Sequence, residues 1–270
     1  MRTVIPYYGG KARLAKKIAE LMPAHRFYLE PYAGSAAVLL AKDKAEREVI
    51  NDLDGRLVNF WRVLRNKPTE LAYQLFMTPY SEEEVLLARS QALDSLEDAR
   101  RYFVSCTQTY NGGGTKGSAW SLSLTEGGWA PSSFNNAVAR LNLVADRLQG
   151  VAVAQRDALQ LIKQFDKPDA VIYCDPPYVM DSRSGGGAYK HEQDDQHHRD
   201  LADLLSRSKA TVLVSGYRSP LYEKLFKGWE AVEFETHKTS AGTKNKKKPE
   251  AVEVVWRKHG DNRTVSKQAD

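Results

Sequence analysis

The sequence predicts an α/β protein of the doubly wound kind, with a mostly helical insertion. Three observations predict it. Short apolar runs ending in an acid recur between helical patterns, at residues 27–30, 49–52 and 170–175. Small-residue turns, Gly9-Gly10 and Ala33-Gly34-Ser35, open helices beside those runs. The alternation of strand and helix lapses between residues 67 and 135 and then resumes.

Taken in order, Pro6-Tyr7-Tyr8-Gly9-Gly10-Lys11 is a glycine turn followed by a helix carrying Leu14, Ile18 and Leu21, which Pro23 ends. Phe27-Tyr28-Leu29-Glu30 reads as a strand, and Gly34-Ser35 starts a helix through Leu40. Val49-Ile50-Asn51-Asp52 is a second strand end. Asp54 caps a helix with Leu57, Val58, Trp61 and Leu64. In the insertion, residues 82–92 and 96–106 are helical and lead into the glycine-rich stretch 111–118. Past Asn136, a helix through Leu141 and Leu148 precedes the strand 151–154 and a helix opened by Asp157. Ala170-Val171-Ile172-Tyr173-Cys174 reads as a buried parallel strand, followed by a flexible loop over 179–188. Residues 201–205 are helical, 211–215 a strand and 221–226 a helix. Residues 230–236 and 251–256 fit a closing antiparallel pair.

The chain has 270 residues, 42% hydrophobic and 27% charged, enough for one sizeable core plus an insertion. A net charge of +5 permits a polyanionic partner without demanding one. Cys106 and Cys174 cannot make a disulfide framework or a zinc site, and the six histidines show no metal-binding spacing, so no metal is expected. His197-His198 reads as a solvated helix start. No signal-peptide apolar region and no run of membrane-spanning length are present, and a reducing cytoplasm is the expected compartment.

The chemistry concentrates at Asp175-Pro176-Pro177-Tyr178, at the carboxyl end of the apolar strand, where open α/β sheets place their sites. Two prolines fix two φ angles and donate nothing, and a residue before proline is held extended. The result is a stiff set of acceptors, the Asp175 carboxylate and Pro176 C=O, beside an aromatic ring. A planar ring bearing an amino group suits it. Asp52 lies 18 positions after Gly34, about the spacing that places an acid on a ribose. No dinucleotide fingerprint and no Walker lysine motif occur. A nucleoside ligand without phosphates therefore fits better than a pyrophosphate.

In this order, Tyr7-x-Gly9-Gly10-Lys11, Glu30-Pro31-Tyr32-Ala33-Gly34-Ser35, Asn51-Asp52 and Asp175-Pro176-Pro177-Tyr178 resemble the Dam-type DNA adenine methyltransferases, which use S-adenosylmethionine. The resemblance extends to Tyr189-Lys190-His191-Glu192, His198-x-x-Leu201, Val214-Ser215-Gly216-Tyr217 and Glu253-Val254-Val255-Trp256. It implies a class I methyltransferase (Rossmann-like) fold, a seven-stranded mixed sheet. The catalytic domain would comprise residues 1–66 and 136–258, with a target-recognition insertion over 67–135 and a disordered tail over 259–270. It implies that Tyr7, Gly10 and Lys11 border the cofactor and that Glu30, Tyr32, Gly34 and Ser35 form its loop, with Glu30 near the methionine end. Asp52 would bind the ribose and Asp157 would lie near the cofactor adenine. Asp175, Pro176, Pro177 and Tyr178 would hold the target base, with Asp175 also facing the cofactor. The family often has glycine where this chain has Ala36, which bears on cofactor affinity.

The implied reaction is methyl transfer to the exocyclic amine of an adenine flipped out of double-stranded DNA. Methylation of cytosine at N4 is an alternative, although that chemistry commonly meets Ser-Pro-Pro. A non-catalytic DNA-binding relative, or an RNA or protein-amide methylase, are further readings. The expected setting is a bacterial or phage-infected cell, at the nucleoid when bound to DNA, with or without a separate cognate restriction endonuclease. Arg100, Arg101, Gln108, Asn111, Lys116 and Ser118 are candidate groove readers in the insertion. Lys11 also reads as a solvated helix start, Asp52 and Asp157 as helix caps, and Trp120 and Trp129 as core. Lys244, Lys246, Lys247 and Lys248 read as a solvated run or a phosphate contact.

Overall fold

The computed structural model describes residues 1–7, 9–110, 119–122, 130–178, 193–237 and 250–261. The strands are β1 (Phe27–Glu30), β2 (Arg47–Asn51), β3 (Val151–Ala154), β4 (Ala170–Cys174), β5 (Thr211–Tyr217), β6 (Glu230–His237) and β7 (Glu250–Lys258). They form a seven-stranded mixed sheet in the order β3-β2-β1-β4-β5-β7-β6, as expected of a class I methyltransferase. Strand β7 enters antiparallel between β5 and β6, and the other pairings are parallel. The winding reverses between β1 and β4, so their carboxyl ends part and leave a crevice.

The helices are α1 (Ala15–Glu20), α2 (Ala37–Ala41), α3 (Gly55–Asn66), α4 (Pro68–Phe76), α5 (Glu82–Ala88), α6 (Ser95–Thr107), α7 (Ala130–Val138), α8 (Leu141–Leu148), α9 (Ala158–Phe165), α10 (Asp195–Ser206) and α11 (Pro220–Leu225). Local chemistry starts several of them: Asp54, Asp94, Asp157 and Asp194 each accept a backbone N–H from the first turn.

Every residue of β1 and β4 is buried, because helices cover both faces. Side chains alternate between two cores. Tyr28, Val171, Tyr173, Leu213 and Val255 enter one, while Leu29, Ile172, Cys174, Val212, Val214 and Trp256 enter the other. Carrying the first face two residues further reaches Glu30, Ser215 and Glu253. The polar groups of that face therefore gather at one edge of the sheet.

The described helices of the insertion share that first core. Leu71, Leu75, Val85, Ala99 and Phe103 pack with Phe60 and Leu64 of α3. The expected boundary at residue 136 falls inside α7, and α5 stops at Ala88, short of the expected residue 92. Three expected groove readers are committed internally. Gln108 is fully buried and bonds Pro79 O and Ser81 N. Arg100 is clamped by Glu84 and Glu97, and Arg101 pairs with Glu97. Two guanidinium groups hold the Glu97 carboxyl down to about 2, their hydrogen bonds outweighing its partial burial. Asn111, Lys116, Ser118, Trp129, residues 179–192 and residues 244–248 lie outside the described residues. Trp120 is half-buried against Tyr80. Of the tail expected to be disordered, Gly260 and Asp261 are hydrogen-bonded to Thr211 and Lys209.

The solvated helix start at His197-His198 is corrected. Asp194 does cap α10, but His198 is buried with Leu201, Ala202 and Leu205 along one helical stripe. Its Nδ1 lies 3.1 Å from the Tyr222 hydroxyl, and His197 Nε2 lies 2.7 Å from the Tyr32 hydroxyl.

At the far edge of the sheet, Glu48 of β2 receives two bonds from Arg147 of α8, at 2.5 and 2.9 Å, and one from Lys42 at 2.6 Å. All three side chains are buried. Among the described residues no helix is long and apolar enough to cross a membrane. Nor, among them, does any group of three or more His, Cys, Asp or Glu stand where it could hold a metal ion.

Candidate active site

The glycine turn closes with a bond from Gly10 N to Tyr7 O at 2.9 Å, and Gly9 has a φ of 71°. This turn sends Lys11 inward rather than into solvent, so its reading as a solvated helix start is set aside. Its ammonium donates to Gly9 O at 2.7 Å and pairs with Asp175 Oδ1 at 2.8 Å. It lies 3.5 Å from Glu253 Oε1 and 4.7 Å above the centre of the Tyr178 ring. Burial works against the charge, but Asp175 and Glu253 together hold it above the usual lysine value.

Strand β1 ends in Glu30, and the loop beyond it is tied to β2. Ala33 N donates to Asn51 O at 2.8 Å and Gly34 N to Asp52 Oδ2 at 3.0 Å. Asp52 Oδ1 accepts from Asp54 N at 3.0 Å. Each oxygen keeps capacity for a further donor, as two neighbouring hydroxyls would require. Gly34 has a φ of 46°, and a Cβ there would stand 2.8 Å from the Tyr7 ring. On the cofactor-loop role that the resemblance implies, Gly34→Ala is expected to displace Tyr7 and lower S-adenosylmethionine affinity roughly tenfold by calorimetry, a cost of about 1.4 kcal/mol. Wild-type affinity would sink this account of the loop. Ala36 also takes the left-handed region, with a φ of 49°, at a strain of about 1–2 kcal/mol. The family's usual glycine would relieve it.

Glu30 is 2% exposed and accepts from the Tyr28 hydroxyl at 3.0 Å and Leu39 N at 3.1 Å. Burial pushes its carboxyl up to about 8, against those two bonds. The folded state thus binds a proton more tightly than the unfolded chain, whose value is near 4.5. This group's contribution is fully present below about pH 4.5 and is lost as pH rises toward 8. Glu30→Gln is expected to flatten the fall in stability across that window, read by urea unfolding at pH 5 and pH 8. An unchanged slope would count against it.

Beyond β4, Asp175 reaches the same edge. Burial raises its carboxyl above the usual range while Lys11 opposes the rise, and Glu253 behaves alike. Tyr178 is 5% exposed, bonded through its hydroxyl to Glu253 Oε1 at 2.5 Å and packed edge-on against Tyr217.

One cleft brings Lys11, Glu30, Gly34, Asp52 and Asp175 together. Of the expected residues, Tyr7, Gly10, Lys11, Glu30, Tyr32, Gly34, Ser35, Asp52, Asp175 and Pro177 line it. Pro176 and Tyr178 sit behind that wall. Asp157 is exposed and caps α9 through Gln160 N at 2.9 Å, with Ala158 lining the cleft in its stead. Sequence reasoning missed Tyr173, which lines the cleft, and Glu253, which stands behind it against Lys11 and Tyr178. An acid interrupting the apolar alternation of the last strand was the available signal for Glu253.

A family model described as D12 class N6 adenine-specific DNA methyltransferase matches residues 7–241. Among relatives, the Type II methyltransferase M1.LlaDCHI of Lactococcus lactis subsp. cremoris is 26% identical over 281 residues, covering 97% of this chain and 96% of its own. The DNA adenine methylase of Vibrio cholerae serotype O1 is 24% identical over 245 residues, covering 84% and 85%. A solved SAM-dependent methyltransferase from Agrobacterium tumefaciens aligns over 91% of this chain and 60% of its own, at 11% identity and a TM-score of 0.38, too distant to support more.

Proposed function

Because this chain belongs to the D12 class N6 adenine-specific DNA methyltransferases, we propose that its cleft binds S-adenosylmethionine and that Asp175 presents the adenine amine to it. The protein is an adenine-specific DNA methyltransferase that uses S-adenosylmethionine. The observation that carries the assignment of roles is that Asp175 lines the same cleft as Gly34 and Asp52. Acceptor and cofactor loop are then close enough for two substrates to meet.

The cofactor fits the residues present. Asp52 is oriented by two backbone N–H groups and suits a ribose diol. Gly34 lets the Tyr7 ring pack directly on the loop backbone, and both residues line the cleft. Glu30 and Tyr32 supply polar walls. When bound, S-adenosylmethionine supplies an electrophilic methyl on a sulfonium.

The adenine amine is a weak nucleophile because its lone pair is delocalised. Accepting its two N–H bonds at the Asp175 carboxylate and Pro176 C=O favours a pyramidal nitrogen and stabilises the positive charge that develops there. Asp175 or water then takes the surplus proton. The target leaves the duplex to reach this buried edge, at a flipping cost of a few kcal/mol. Residues 67–135 carry sequence recognition in this reading, and their described helices pack on α3, whose capping residue Asp54 lines the cleft.

The test uses unmethylated genomic DNA and S-adenosylmethionine, with nucleosides identified by mass spectrometry. N6-methyladenine that disappears with Asp175→Ala is the expected product. Methylcytosine, or N6-methyladenine that persists in the variant, would overturn the reading.

A further inference from the structure

Lys11 stands in both places the target adenine is to occupy. Its ammonium fills an acceptor position on Asp175 and lies over the ring of Tyr178. An amine arriving at Asp175 must move it, and a buried ammonium moved from its carboxylate without a replacement is strongly disfavoured. One other carboxylate is at hand. Glu253 Oε1 is 3.5 Å away, 5% of its side chain is exposed, and the Tyr178 hydroxyl already holds it in place. In the sheet register, Glu253 lies directly opposite Tyr217, whose ring packs against Tyr178. Glu253 is thus held by the Tyr178 hydroxyl on a paired strand and faces the cation.

We propose that Glu253 is a positioning residue that receives Lys11 when the adenine amine takes its place on Asp175. The ammonium shifts from a 2.8 Å contact with Asp175 toward the carboxylate now 3.5 Å away, keeping its bond to Gly9 O. No charge is left alone at either stage, and Asp175 is freed as an acceptor. The proposal rests on the assignment of Asp175 as the amine acceptor.

The side chain has two separable properties. Glu253→Gln keeps an oxygen for the Tyr178 hydroxyl but loses the charge that attracts Lys11. Glu253→Asp keeps the charge. Single-turnover methylation on unmethylated duplex DNA is expected to slow at least tenfold in Glu253→Gln, with S-adenosylmethionine affinity within about twofold by calorimetry. Glu253→Asp is expected to retain more turnover than Glu253→Gln. On a Lys11→Met background, Glu253→Gln is expected to cause no further loss, because the group it serves is gone. Wild-type turnover in Glu253→Gln, the reverse order of the two variants, or an additive loss in the double variant would each overturn the proposal. Asp175→Ala, run in parallel, keeps the two assignments apart. Full turnover in that variant would remove the acceptor assignment itself. An inactive Asp175→Ala beside an unaffected Glu253→Gln would remove only the role of Glu253.

Discussion

Asp175→Ala is expected to slow methyl transfer by at least about 10³-fold, a barrier increase of about 4 kcal/mol, while the protein stays folded and binds cofactor. The carboxylate is the one charged acceptor where the prolines hold the chain rigid. Without it, Pro176 C=O alone must orient the amine and offset its developing charge. The fold should survive because Lys11 keeps Gly9 O and still has Glu253 nearby, so its ammonium is not orphaned. Single-turnover kinetics and urea unfolding, run on the same preparation, read the two effects separately. Turnover within tenfold of the unmodified protein would remove Asp175 from the chemistry.

The second large effect lies at the opposite end of the sheet and concerns stability. Glu48→Ala is expected to cost about 3–5 kcal/mol in unfolding free energy, since it strands two buried cations at once. Arg147 would retain only Leu39 O, and Lys42 only Asp43 O and the Tyr28 ring, among the contacts each makes. Burial already draws the Lys42 value below that of an ordinary lysine, and Glu48 is what opposes it. Lys42 is therefore expected to shed its proton in the variant, which softens the loss at high pH. Denaturant midpoints at pH 7 and pH 10 measure this, and a change below about 1 kcal/mol at pH 7 would show the network to be dispensable.

Much of this was legible in the chain. The strands announce themselves because buried parallel strands are short and apolar, and the acids at their tips interrupt that pattern. Gly34 and Asp52 were readable as partners because winding from one strand to the next brings them to adjacent tips, and the structure joins them by a hydrogen bond. The fate of a long polar side chain was harder to read. Arg100 and Arg101 have the composition of DNA contacts, yet Glu97 claims both from within α6 at i,i+3 and i,i+4 spacing, and Glu84 reaches Arg100 once α5 packs on α6. The His197-His198 pair read as a solvated helix start because two histidines follow two aspartates, whereas the spacing of His198 to Leu201, Ala202 and Leu205 placed it inside, as a structural role requires. Glu253 stayed silent because its partners Lys11 and Tyr178 come from remote parts of the chain, and only the register of β7 brings them together.

That register has a consequence for synthesis on the ribosome. Among the described strands β7 emerges last, yet it must slot between β5 and β6, which are already out. Until it does, β5 has an open edge and β6 has no neighbour in the sheet. The growing polypeptide can form β1 to β4 early, but Glu253 meets Lys11 and Tyr178 only once β7 has paired with β5.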